Sequence, residues 1–332
     1  MRVLFVTYID FALEIGGFQN QVRNIERSLK NDGIEVVWQD LEKNEMSSCD
    51  IVHIFSSVPS MYPVMKKAHA LNKPIVLTPM IGSRRRSNVY LRLCQFLSVI
   101  PHVCTSLKEV YQTIKEADFW TPLSSFEANR LRTVYNIQND RIRIIPNGID
   151  DAFFKPASES VKLPFEKYVL IVGCIEPNKN QLNLIKAVNK LGLNLVIVGE
   201  PGISGHSYYK KCNDISGKNI FYWGKECNVE VLKVLYRQAM TTVIASYSEM
   251  VPLVVFESLK MGTPVVCTNR CSISSDVIKG VTFTGIGVGD LVVSIKHSLS
   301  VDRNDLDTSR VFSWDDVARQ YEKVYSSVLD CN

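Results

Sequence analysis

The feature that most constrains this chain is a rhythm: short runs of β-branched and aromatic residues alternate with segments of helical period along its length. Residues 2–7 read as a strand and 17–30 as a helix, with Val22, Ile25 and Leu29 on one face and a stop near Gly33. Strand-like runs recur at 34–38, 50–55 and 74–78, the last after a helical segment over 60–71. Strands that are apolar throughout, rather than alternating, belong to parallel sheets covered on both faces, which predicts a doubly wound α/β layer. Between 146 and 168 the character changes. Pro146-Asn147-Gly148 is turn chemistry, and Pro156 and Pro164 punctuate an irregular linker. The rhythm then restarts, with strands at 168–172, 193–198, 241–245 and 264–268 and helices at 181–191, 228–239 and 254–261. The final segment, 313–329, carries Trp314, Val317, Tyr321, Val324 and Val328 along one stripe. At 332 residues the chain is longer than one hydrophobic core usually grows, so two domains of one class are expected.

Bulk properties exclude more than they suggest. A net charge of +4 permits attraction to phosphates or anionic lipid but does not call for nucleic acid, and none is expected as a partner. The nine cysteines form no CxxC pair, which reads as reduced thiols rather than a disulfide or zinc framework. No run approaches the length needed to cross a bilayer, and the N-terminus enters a strand without the pattern of a signal peptide. The expectation is a cytoplasmic protein.

Ligands of open parallel sheets bind beyond the carboxyl ends of the strands, which directs attention to SYSEMVPLVVFESLKMGTPVV, residues 246–266. Glu249 follows a strand. Glu257 lies within the next helix among Val254, Val255, Phe256 and Leu259, where a carboxylate is costly unless hydroxyls or other donors satisfy it. A ribose diol is such a partner. Met250, Val251 and Leu253 read as the start of that helix, with Pro252 in its first turn, and free amides there suit a diphosphate. Read singly, Glu257 on an outward face and Glu249 as a plain loop residue explain the same letters.

Taken together, these segments resemble a known family. Glu249 and Glu257 match the E-x7-E element of the retaining GT-B glycosyltransferases of family four, the glycosyl transferases group 1, and GTPVV follows as it does there. IPNGID at 145–150, YVLIVGCIEPNKNQLNLIKAV at 168–188 and LNLVIVGEPG at 193–202 are similar as well. So are EIGGFQNQVRNIERSLKNDGIEVV at the front and FSWDDVARQYEKVY near the end, so the likeness runs almost throughout. It implies two Rossmann-like doubly wound parallel-sheet domains facing a cleft. The acceptor side would be 1–150 with the last helix, 313–330, and the nucleotide-sugar donor side 151–312.

The resemblance also implies roles. Glu257 would bind the donor ribose, Glu249 would hold sugar hydroxyls beside the anomeric centre as the catalytic residue, and Lys179 would neutralise the diphosphate. Gly16 and Gly17 would let backbone approach the phosphates. The implied reaction is transfer of a hexose from a UDP- or GDP-sugar to a glycan or lipid-linked acceptor, with retention of configuration, in polysaccharide or glycoconjugate assembly. No metal and no other cofactor is expected. Alternatives on the same fold are a sugar-nucleotide epimerase or hydrolase, and a non-catalytic partner subunit.

Two positions depart from the family. Cys174 stands where an arginine usually precedes the lysine by five residues, and Met80 stands where a histidine often touches the donor sugar. His53 falls at the end of a strand, where it is offered as an acceptor contact or, alternatively, as a hydrogen-bonded core histidine. Arg84-Arg85-Arg86 and Arg92 precede and enter the apolar stretch 90–100, a pattern that rests on an anionic membrane or, alternatively, forms a packed helix with a solvated basic end. The DxD spelling of Asp305-Leu306-Asp307 is set aside as a solvated loop, and the GIGVG run at 285–289 because it lacks GxGxxG spacing and the opening of a βαβ unit.

Overall fold

A computed structural model describes residues 1–8, 11, 16–40, 43, 45–81, 88, 91–92, 105–157, 162–202, 205–273 and 278–330. The chain forms two compact units, Met1–Gly148 with Phe312–Asn332, and Ile149–Val311. In the first unit, strands β1 (Arg2–Val6), β2 (Glu35–Trp38), β3 (Ile51–Phe55), β4 (Ile75–Thr78) and β5 (Phe119–Trp120) form a parallel sheet in the order β2-β1-β3-β4-β5. Parallel neighbours cannot be joined by tight turns, so helices carry the chain back across the sheet. The helix Gly17–Asn31 does so first, burying Gln21, Val22, Ile25, Ser28 and Leu29 as one stripe. The last helix, Trp314–Asp330, packs beside it and buries Trp314, Val317, Tyr321, Val324, Tyr325 and Val328. Leu4, Val52, Ile54, Leu77, Trp120 and Leu131 are central to one of this unit's apolar clusters.

The boundary holds a short strand, β6 (Gly148–Ile149), and another, β13 (Phe312–Ser313), precedes the last helix. In the second unit, β7 (Tyr168–Val172), β8 (Asn194–Val198), β9 (Ile220–Gly224), β10 (Thr241–Ile244), β11 (Val265–Thr268) and β12 (Val281–Thr284) form a parallel sheet in the order β12-β11-β10-β7-β8-β9. Val169, Leu184, Ile185, Leu195, Val243, Val266 and Leu291 belong to its core. The sequence rhythm located β7, β8, β10 and β11; β9, β12 and the two-residue β5 come only from the structure.

The strand order carries the functional consequence. In the second unit the chain lays down β7, moves outward through β8 and β9, then returns to the other side of β7 for β10, β11 and β12. Connections on the two sides run in opposite directions, and a crevice opens above the carboxyl ends of β7 and β10. Their pairing is direct, Thr241 beside Val169 and Thr242 beside Leu170. The first unit reverses in the same manner between β1 and β3.

Candidate active site

Lys179 and Glu249 arrive at that crevice from the two strands that border it. After β7 the chain turns at Gly173, whose φ of +143° is one L side chains rarely adopt, and a Cβ on Gly199 would collide with the Gly173 carbonyl. The loop continues through a single turn, Pro177–Lys179, into Asn180 at φ +59° and the helix Gln181–Leu191. Asparagine tolerates this left-handed conformation, and its side chain fastens the loop. Asn180 Nδ2 donates to the carbonyls of Ala245 and Ile286, each at 3.0 Å. Asn178 Nδ2 donates to the Ser248 carbonyl at 3.0 Å, while the Tyr247 amide donates to the Asn178 carbonyl at 2.8 Å. The two asparagines flanking Lys179 thereby tie the loop after β7 to the loop after β10.

That coupling brings the Lys179 ammonium to Glu249 Oε1 at 2.5 Å, with the two side chains 27% and 17% exposed. The same oxygen accepts from Ser246 Oγ at 3.0 Å. Burial pulls the Lys179 ammonium toward lower pKa, but the Glu249 carboxylate outweighs it, and the group is held above the usual lysine range. Lys179 is therefore a fixed cation near neutral pH. The Glu249 backbone is anchored too, by a parallel bridge to Cys271, and the Met250 carbonyl accepts from the Ser272 amide at 2.8 Å. Lys179, Ser246, Glu249, Pro252 and Val254 line an open pocket of about 260 Å³ with the ends of β7 and β10.

The helix after Glu249 spans Leu253–Lys260. Pro252 is its N-cap rather than part of its first turn, so Met250 and Val251 lie before the helix, correcting their placement at its start. The physical reason is that an extended residue suits the cap, and Pro252 has ψ of 126°. No side chain caps this end. Of the first-turn amides, that of Val255 donates to the Pro252 carbonyl at 3.2 Å, while those of Leu253 and Val254 have no acceptor within the helix and are suited to an anion at the pocket that Pro252 and Val254 line. Glu257, one helical turn on from Leu253, is partly buried and accepts from the Tyr236 hydroxyl at 2.6 Å. Burial pushes its carboxyl up, the Tyr236 hydrogen bond pulls it down and Asp150 pushes it up again, leaving it above its ordinary value. Glu257 does not line the pocket shared by Lys179 and Glu249.

Other sequence-level candidates fall elsewhere. His53 is fully buried, with Nδ1 2.6 Å from Tyr325 Oη and Nε2 2.9 Å from Thr78 Oγ1. This corrects the acceptor contact offered for it: a ring sealed between the sheet and the last helix has no surface for a ligand. Gly16 and Gly17 open the helix Gly17–Asn31, exposed, and no atom would obstruct a Cβ on either. Neither packing nor the extended φ of −171° at Gly16 demands glycine there. Cys174 is exposed in the loop after β7, and Met80 follows β4 at φ +55°. Residues 84–86 and most of 90–100 lie outside the described residues; Arg92 donates to the Thr133 carbonyl at 2.8 Å. Asp307 accepts from Ser309 within its own turn, and Gly287 caps the helix Val288–Ser298. Among the described residues no helix is long and apolar enough to span a membrane, and no three His, Cys, Asp or Glu residues group as metal ligands. Tyr236, Asn178, Asn180 and Ser246 are site residues that the sequence reading missed.

Two parallel sheets, each reversing beside its first strand, and a paired lysine and glutamate at one reversal define a GT-B fold of the glycosyltransferase type. A family model described as Glycosyl transferases group 1 matches residues 157–289, and one described as Glycosyltransferase Family 4 matches residues 37–153. The chain belongs to the group 1 glycosyltransferases, family four. The D-inositol 3-phosphate glycosyltransferase of Mycolicibacterium smegmatis is 28% identical over 222 residues, 61% of this chain and 51% of that protein. D-inositol 3-phosphate glycosyltransferase 2 of Catenulispora acidiphila is 27% identical over 248 residues, 66% of this chain and 58% of its own length. The chain thus spans about half the length of the curated relatives it matches. Among solved structures, sucrose-phosphate synthase from Thermosynechococcus elongatus superposes with a TM-score of 0.76 at 18% identity, covering 100% of this chain and 99% of that one. Anabaena HepE in complex with UDP and glucose gives 0.69 at 14% identity, over 98% of this chain and 99% of its own. At such identities the likeness is one of fold.

Proposed function

We propose that the chain transfers a sugar from a nucleotide-sugar donor, UDP-linked by preference, to a glycan or lipid-linked acceptor with retention of anomeric configuration. The observation that carries this reading is the Lys179–Glu249 pair at the crevice between β7 and β10. Lys179 and the uncapped start of the helix Leu253–Lys260 supply positive potential for a diphosphate leaving group without a divalent ion. Glu249 is within reach of the hydroxyls of a sugar whose phosphates sit on Lys179, and Glu257 takes the ribose. With the donor so placed, attack comes from the face the diphosphate leaves, and the departing phosphate oxygen takes the acceptor's proton. The enzyme's contribution is positioning and charge stabilisation. Gly16 and Gly17 leave backbone amides open to a phosphate, and the first unit takes the acceptor. We place the activity in the cytoplasm, in polysaccharide or glycoconjugate assembly, with basic residues near 84–92 resting on the inner face of a membrane.

A panel of nucleotides and sugar nucleotides in a thermal-shift assay tests this, because a ligand stabilises the folded state in proportion to its occupancy. UDP or a UDP-sugar should raise the transition, and EDTA should leave both the shift and the transfer rate unchanged. Glu257→Ala should lose donor affinity, and Glu249→Ala should lose turnover by about a hundredfold or more. Unaltered transfer in both variants would remove the assignment. The exposed Cys174, a thiol in the family's arginine position, favours one second reading, a partner subunit that keeps the fold and ignores sugar nucleotides. The same panel separates them.

A further inference from the structure

The hydroxyl of Tyr236 has no part in the scheme above, yet it makes a short hydrogen bond to a carboxylate. The residue has no exposed surface, and its ring meets Phe153 edge-on at a centroid distance of 6.0 Å. It sits in the last turn of the helix Val229–Gln238, where Thr263 Oγ1 donates to its carbonyl at 2.6 Å. Packing and backbone together fix where the hydroxyl points. A buried tyrosine commonly satisfies its hydroxyl on a main-chain carbonyl, as Tyr168 does on Leu235 at 2.7 Å. Tyr236 instead donates to Glu257 Oε2 at 2.6 Å. Glu257 Oε1 has no hydrogen-bond donor among the described residues, and it is not among the sealed polar atoms. One carboxylate oxygen is held and the other is open.

We propose that Tyr236 is a positioning residue for nucleotide binding: by holding Glu257 Oε2 it presents Oε1, ionised, to a single ribose hydroxyl of the donor. This rests on the reading of Glu257 as the ribose ligand. Without the phenol, the carboxylate is free to rotate about its terminal torsion. It also loses the influence that opposes burial and the facing Asp150 carboxylate, so it takes up a proton at higher pH. Among the described residues, Tyr236 and Asp150 are the titratable groups whose hydrogen bond or charge acts on it.

The test is calorimetric titration of UDP into the wild type, Tyr236→Phe, Glu257→Ala and the double variant, between about pH 5 and 8. Steady-state transfer is followed in parallel. Tyr236→Phe should weaken UDP about tenfold near neutrality, with the deficit widening as pH falls. The donor KM should rise by a similar factor while kcat changes little, and the variant should add nothing on top of Glu257→Ala. A readout independent of the variant's folding uses the wild type with 2′-deoxy- and 3′-deoxy-UDP: one analogue should bind markedly more weakly than UDP and the other close to it. Equal losses for both analogues, or a Tyr236→Phe variant with wild-type affinity and pH profile, would overturn the proposal while leaving Glu257 as the ribose ligand. Wild-type affinity in Glu257→Ala would overturn that underlying reading, and the proposal with it.

Discussion

The Lys179 ammonium already has a counter-ion before any ligand arrives, and this sets how the pocket should respond to charge. A diphosphate reaching Lys179 must compete with Glu249, which holds the ammonium at 2.5 Å in a partly buried setting. Glu249→Gln keeps the shape and removes the competitor. It should therefore tighten bare UDP several-fold while abolishing transfer, a divergence that calorimetry and a turnover assay read together. Lys179→Ala should weaken UDP and lose transfer alike. If UDP binds Glu249→Gln no better than wild type, the pair does not screen the site. Glu257 was legible because a carboxylate in an apolar helix violates local expectation, whereas Glu249 and Lys179 gained their roles only through the family resemblance. Asn178, Asn180, Ser246 and Tyr236 were not legible. Asn180 acts on Ala245 and Ile286, and Tyr236 acts on Glu257, across separations at which no local pattern marks a hydroxyl or amide as anything but ordinary.

Among elements, the strands best read from sequence are the buried ones rich in β-branched and apolar residues, such as β7, whose Tyr-Val-Leu-Ile-Val run is unbroken, and β10, whose four residues are all buried. Those missed are β5, only two residues long, and β9 and β12, whose residues are mostly half-buried and outermost in the sheet. The helix at Leu253 was found but begun too early, because Pro252 serves equally as a cap or a first-turn residue until ψ is known. His53 shows the same limit from another side. A histidine in an apolar strand suits a site or a core, and His53, central in β3 rather than at its end, is decided only by the last helix, which brings Tyr321 and Tyr325 over it. Burial holds its imidazole well below the ordinary histidine range, so in the folded chain it stays neutral. The unfolded chain binds that proton below about pH 6.5, so folding stability is complete above this pH. Below it, stability falls by up to about 1.4 kcal/mol per pH unit. In acid-unfolding series, His53→Gln should show a shallower slope between roughly pH 6 and 5 than the wild type. Parallel slopes would mean the ring does not govern this range.

Across the molecule, each unit has its own apolar core, and the lysine, both glutamates and Tyr236 belong to Ile149–Val311. Nucleotide binding should therefore stabilise the units unequally. Trp38, Trp120 and Trp314 lie in the first unit and Trp223 in the second, so Trp223→Phe makes tryptophan emission a reporter of the first unit alone. At a hundredfold excess over Kd, UDP should add about 2.7 kcal/mol to the second unit, visible by calorimetry, while the emission transition of Trp223→Phe barely moves. A common shift in both signals would mean that the units unfold as one.

The last helix belongs to the first unit although it follows the whole of the second in the sequence. On the ribosome, the second unit can therefore close before the first is complete. Until Trp314–Asp330 emerges, the stripe of the helix Gly17–Asn31 and the ring of His53 lack their cover. A nascent chain stalled before residue 314 would thus carry a finished second unit joined to a sticky, unfinished first one, a natural client for chaperones or proteases.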